Sequence, residues 1–417
     1  MTRIIKSSIN KKSKYSYLFI SSVIVVVYIL LPVTRILPNF VKAGVVIISS
    51  CFGLLGLYNV YARTRTFYKI VLIILLVLLL NLIIYLGVYK HYSNIQFLSR
   101  YMVMFTFWLS IFWGYGYCQR NENHKLELKR IQNLIVLLLI ITATTTIIGT
   151  FLFHEASRSL ASGDIESNRI YQAYNIGGYG FIYCLVLTIP YLIFRIKTDR
   201  SILYILILVL FVICIISSSY MLAILLSLYA VISCLFFIQK EGKQKILILL
   251  LLLLIIIPIL FILFSDNQFW DLLLSIVDDN PTLYERTLNL KYLFIYRQQV
   301  GDLNFRSYLY KISWQAFLQN PWLGNIGNKT VASLGYHSEI LDLLGGTGLL
   351  GGGFAFLIIL NIVKVYNRAI SKKRIASYYT IMCTILLIIA SLNTIISSLE
   401  LSVIIGYMYL PISSIEK

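Results

Sequence analysis

The sequence predicts an all-α polytopic membrane protein, a helical bundle of about 12 spans with one large extracytoplasmic loop. Three observations predict it. Of 417 residues, 59% are hydrophobic and only 13% charged, too few charges to cover a soluble chain of this length. Apolar runs of roughly 17–23 residues recur along most of the chain, each long enough to cross a hydrocarbon core of about 30 Å. Lys and Arg crowd every second gap between those runs. Backbone groups in hydrocarbon must bond internally, so the runs should be helices.

Taken in order, the spans are read at 17–37, 43–61, 67–89, 101–118, 131–153, 174–194, 201–217, 221–238, 246–264, 348–364, 377–395 and 398–412. The first follows a basic N-terminus, as in a signal peptide. No small-residue cleavage site follows Tyr17–Leu37, so it reads as a retained span. Only Ser217-Ser218-Ser219-Tyr220 separates the seventh from the eighth, and the last carries Glu400. The chain thus divides into residues 1–264, nine spans with short loops; 265–345, the large loop; and 346–417, three C-terminal spans.

With the N-terminus inside, 24 of the 36 Lys and Arg residues fall on the cytoplasmic side and six in the short outer loops. A miscounted span would invert this bias downstream, and the alternation holds along the chain. The inner side therefore carries the whole net charge of +19. That charge is a topology signal and an attraction to anionic lipid. Lacking a basic domain or a basic–aromatic stripe, it does not point to nucleic acid. Both termini are expected in the cytoplasm, and the chain in the cytoplasmic (inner) membrane. The six cysteines lie in or at the ends of apolar runs, and no His/Asp/Glu cluster has metal-ligand spacing. No disulfide, metal or cofactor is expected.

Two outer segments can carry chemistry. The shorter, His154–Tyr174, holds Arg158 and Arg169 and leads through Asn175-Ile-Gly-Gly178 into a span. The longer is Ser265–Gly345; loops of that length usually contain helices and have a function. Apolar spacing over Ser307–Gln319 predicts an amphipathic helix ending at Pro321, and a second short helix is expected from His337 to a break at Gly345-Gly346. His337, beside Glu339 and Asp342, suits a general base near neutral pH; a solvent-exposed loop histidine is the alternative. Arg158, Arg169, Arg286, Arg297 and Arg306 suit a bidentate clamp on a diphosphate or anionic sugar, or pairing with the eight acids of the long segment. Gly346-Thr-Gly348-Leu-Leu-Gly351 matches a dinucleotide fingerprint only in letters. No strand precedes it, and its glycines suit tight packing of a re-entrant turn on a span. Glu400 reads as an arginine partner, a proton site or an interfacial residue.

Residues 306–345 run Arg306…Trp314-Gln-Ala316-Phe317…Asn320-Pro321-Trp-Leu-Gly324-Asn-Ile-Gly327…His337-Ser-Glu-Ile-Leu341…Gly345. This pattern resembles the outer loop of the O-antigen polymerase and O-antigen ligase superfamily. Arg169…Asn175-Ile-Gly-Gly178 resembles that family's first outer loop, and the span layout agrees. Two departures stand out. Many relatives carry Ser-Arg after the seventh span, where this chain has Ser219-Tyr220, and Ser338 stands where Asn is commoner.

The resemblance implies a metal-independent, glycosyltransferase C-like membrane enzyme whose donor is a glycan on undecaprenyl diphosphate. His337, with Glu339 beside it, would activate the acceptor hydroxyl. Arg169, Arg158, Arg306 and Arg286, with Asn175 and Trp314, would bind the donor. The activity expected is a polysaccharide polymerase joining lipid-linked repeat units into capsule, O-antigen or exopolysaccharide, served by a flippase and a chain-length regulator. A ligase moving the glycan to another acceptor shares the donor chemistry. A lipid-linked glycan transporter is the third reading; it would place its polar features at the membrane midplane.

Overall fold

The computed structural model describes residues 16–61, 65–88, 94–118, 122–153, 156–157, 160, 165–237, 267–278, 281–296, 298, 300–327, 334–370, 375–396 and 398–410. Among these the chain is helical, without strands. The helices are α1 (Tyr17–Leu30), α2 (Asn39–Tyr61), α3 (Arg65–Val88), α4 (Asn94–Tyr117), α5 (Glu122–Leu152), α6 (Ile165–Ala173), α7 (Tyr179–Asp199), α8 (Ile202–Ser217) and α9 (Met221–Phe237). There follow α10 (Asn267–Ile276), α11 (Pro281–Ile295), α12 (Gly301–Gln319), α13 (Glu339–Ile370), α14 (Ala376–Leu392) and α15 (Leu399–Val403), the last running on as a π turn to Met408.

Among the described residues, five helical segments are long and apolar enough to cross a membrane: Asn39–Asn59, Val71–Val88, His124–Leu152, Tyr179–Asp199 and Glu339–Arg368. Shorter apolar helices fill the bundle between them, including α1, α8 and α14. The span predicted at 17–37 is a 14-residue helix followed by a 3-10 turn, Pro32–Ile36. At about 1.5 Å per residue it rises about 21 Å, because Pro32 cannot supply the N–H that would continue it. The span predicted at 246–264 lies outside the described residues.

α7 is the hub: 83% of its apolar window is buried, against 28% for Asn39–Asn59, whose outer face is bare. It packs on α8, α9, α14 and α15. The expected break at Gly345-Gly346 comes two residues later: at Gly348 the backbone leaves the helix (φ 64°, ψ −167°), which favours glycine and divides Glu339–Ile370 into two helical pieces that share the label α13. The kink is filled by the turn after α12: the Leu349 and Leu350 N–H groups donate to the Pro321 and Trp322 carbonyls at 2.7 and 3.1 Å. α12 ends at Gln319, just before Pro321. In α10–α11, buried Trp270 stacks on Phe294 and Lys291 pairs with Asp271 at 2.7 Å. That carboxylate raises the Lys291 ammonium above its ordinary pKa.

Two groups of polar contacts join residues at or near helix ends. In one, Ser16 meets Glu127, and Gln132 donates to the Tyr407, Met408 and Leu410 carbonyls. In the other, Arg35 meets Glu400, Tyr220 meets Ser157, Tyr336 meets Val88 and Arg306 meets Asn393. Chain ends that the charge pattern assigns to one side thus touch one another.

Candidate active site

A cavity of about 1020 Å³ opens beside this second group. Arg35, Arg286, Arg306, Glu400 and His337 line it, with Tyr179, Tyr183, Tyr220, Tyr310 and Tyr336. A cationic, aromatic chamber of this size exceeds the usual 300–1,000 Å³ of small-ligand pockets and offers charge and flat ring faces together.

His337 stands on a turn held from several directions. Ser338 caps α13, its hydroxyl accepting the Leu341 N–H at 3.2 Å. This is a role Asn fills as well, so the departure at Ser338 keeps the cap. Asp342 answers from the next turn: Oδ2 accepts the Ser338 N–H and Oδ1 the Tyr336 N–H, both at 3.1 Å. The Ser313 hydroxyl of α12 donates to the same Oδ1 at 2.5 Å and accepts the Gly335 N–H at 2.8 Å. These bonds hold Tyr336 at a φ of 54°, rare for a residue with a side chain, and its hydroxyl donates to the Val88 carbonyl at 3.0 Å. The Nδ1 of His337 lies 3.1 Å from the Tyr336 carbonyl. A carbonyl can only accept, so Nδ1 carries the proton and Nε2 is left as the basic nitrogen.

The arginines arrive on other elements. Arg306 of α12 donates to Asn393 Oδ1 at 3.3 Å, and Tyr310, one turn on, donates to the Leu392 carbonyl at 2.8 Å. α12 is thereby tied to the end of α14. Arg286 comes from α11 and Arg35 from the turn after α1, where its guanidinium pairs with Glu400. Of the three roles open to Glu400, that of arginine partner is occupied.

Four other predicted site residues stand differently. Glu339 does not join His337. Its Oε2 accepts the Ile395 and Ile396 N–H groups at 2.9 and 3.2 Å, so its carboxylate ties α13 to the link after α14. Trp314 packs on Phe317 and is exposed outside the cavity. At 3.6 residues per turn it lies about 100° around α12 from Ser313, which faces the His337 turn. Arg169 is exposed on α6 and does not line the cavity. Asn175, at φ 57°, ends α6. Its Nδ2 donates to Thr142 and Thr145 hydroxyls at 3.2 and 3.3 Å, and its carbonyl accepts from Thr145 at 2.7 Å. It is a joint between α6 and α5. Arg158 and Arg297 lie outside the described residues.

Sequence reasoning missed Asp342 as the support of the turn, and Arg35, Asn393 and Tyr336 as wall residues. The Ser338…Asp342 spacing before an apolar helix was the available signal for the first. Nothing local marked the others, which become neighbours only through the fold. Among the described residues no group of three His, Cys, Asp or Glu side chains gathers to hold a metal ion. No family model matches the sequence, and no curated protein matches it.

Proposed function

We propose that this protein is a membrane glycosyltransferase that joins undecaprenyl-diphosphate-linked repeat units at the outer face of the cytoplasmic membrane. The observation that carries the reading is the meeting of His337, its Nδ1 held by the Tyr336 carbonyl, and the arginines Arg306 and Arg286 in one tyrosine-lined cavity. Glycosyl transfer from a lipid diphosphate needs these parts. His337 Nε2 takes the proton of an acceptor hydroxyl. The freed oxygen bonds to the anomeric carbon of the donor sugar. The bond from that carbon to the diphosphate oxygen breaks, and its electron pair leaves with the lipid diphosphate. Arg306 and Arg286 offset the charge gathering there.

The twelve-span topology with both termini cytoplasmic, and a glycosyltransferase C-like fold, belong to the same proposal. The charge bias of the sequence supports it. Arg169, Arg158, Asn175, Trp314 and Glu339 are left out of the chemistry or in reserve, since none that is described lines the cavity.

The test is to incubate purified protein with lipid diphosphate-linked repeat units. A ladder of products selects the polymerase. Transfer only to an added acceptor, such as a lipid A core or a protein, selects the ligase. Lipid scrambling without turnover selects a transporter and sinks the enzymatic reading.

A further inference from the structure

The chemistry above leaves two cavity residues unused, both beside the link that joins α14 to α15. Glu400 is 2% exposed. One of its oxygens pairs with Arg35; the other, Oε2, is buried without a hydrogen-bond partner among the described residues. Asn393 is 6% exposed. A guanidinium only donates, so the bond from Arg306 fixes the amide with Oδ1 toward the arginine. Its Nδ2 is then left buried, without a partner among the described residues. Buried polar atoms in native proteins almost always find partners, and a carboxylate oxygen and an amide left unmet in the wall of one cavity, with the Tyr179 hydroxyl a further unmet group there, mark a place where a ligand supplies the bonds.

The space beside Oε2 is kept clear by a glycine. A methyl group on Gly180 would lie 2.5 Å from Oε2 and 3.0 Å from the Ser398 Cβ. Gly180, Ser398, Glu400 and Asn393 all line the cavity.

We infer that Glu400 and Asn393 form a polyol subsite. Oε2 accepts a hydrogen bond from a sugar hydroxyl, and Nδ2 donates to an adjacent hydroxyl or acetamido oxygen. A phosphate offers oxygens of like charge to the carboxylate and is repelled; a sugar offers donors and acceptors side by side. The anion and the sugar are therefore gripped at different parts of one wall, with Arg35, held by Glu400, between the two chemistries. The inference rests on the glycan reading and names the residues that hold the sugar.

The probes are N,N′-diacetylchitobiose, read by saturation-transfer NMR on the full-length protein in detergent, and inorganic pyrophosphate, read by ³¹P line broadening in the same sample. The wild type should bind both. Glu400→Gln should weaken the sugar about tenfold, equivalent to about 1.4 kcal/mol, while pyrophosphate broadening persists. Gly180→Ala, which keeps the charge of Glu400 and crowds Oε2 directly, should weaken the sugar in the same way by a different route. Absence of a sugar signal from the wild type overturns the subsite. So does an unchanged sugar signal in both variants, or a parallel loss of both ligands in both. Failure of the wild type to bind pyrophosphate, with sugar binding intact, counts instead against the arginine wall and leaves the subsite standing.

Discussion

The two polar segments expected outside the membrane, 154–178 and 265–345, have opposite fates. In the first, Asn175 turns to α5 and Ser157 to the Gly177 carbonyl at 2.7 Å, while Gln172 adds an uncharged amide to the cavity wall. Arg169 faces away. In the second, backbone groups are tied off by Asp342 and Ser313, and His337, Arg306 and Arg286 line an open volume. A segment whose polar side chains are consumed by its own backbone builds the wall. One whose backbone is satisfied by supporting residues can present chemistry.

The sharpest way to break this comparison is His337→Ala. Loss of a general base costs about 10²–10⁴-fold in turnover, so the variant should insert and fold normally yet give no ladder in a standard assay. Wild-type extension by this variant would remove His337 from the chemistry. Arg306→Ala should follow, at about 10²-fold, the loss typical of removing one donor from a developing anion. Arg306→Lys should recover only part, because the ammonium is a point charge and lacks the fork that reaches both Asn393 and a phosphate oxygen. Full recovery by Lys would show that charge alone is used there.

Asp342→Ala tests the support and not the chemistry. It leaves the Tyr336 and Ser338 N–H groups and the Ser313 hydroxyl without their acceptor, each costing about 1–3 kcal/mol at most if buried. The His337 turn, already at an unfavourable Tyr336 conformation, should loosen. Turnover should fall about tenfold or more, with faster amide hydrogen exchange confined to residues 334–342. Asp342→Asn, which keeps one acceptor oxygen, should fall between. Equal exchange in wild type and variant would mean that the turn does not depend on Asp342.

Much of this was legible before any coordinates. The helical class, the end of α12 before Pro321 and the helix following His337 came from local patterns: apolar period, proline and a cap. Boundaries failed where one residue competes with the pattern. Pro32 shortens α1, and Gly348, not Gly345-Gly346, interrupts α13. The site was half legible. His337 and Arg306 carry motif letters, but Arg35 looked like a topology charge, and Glu400 found it across 365 positions of sequence. Glu339 misled because it neighbours His337 in sequence. Once helical, it projects toward Ile395.

The smallest expected effect is on the first segment, and it is the most discriminating. Resemblance alone makes Arg169 a clamp, so Arg169→Lys would be crippling. Its exposed place on α6, outside the cavity, predicts instead a change of less than about threefold in turnover, within the range of surface substitutions. Asn175→Ala should separate stability from activity in the same region. Alanine is strained at a φ of 57° and loses the bonds to Thr142 and Thr145, so the fold should lose about 1–3 kcal/mol, read as a lower thermal midpoint. Turnover per folded molecule should hold. If Arg169→Lys instead abolishes the ladder while His337 hydrogen exchange is unchanged, the first segment reaches the substrate after all, and the division between wall and chemistry must be redrawn with α6 closing over the cavity.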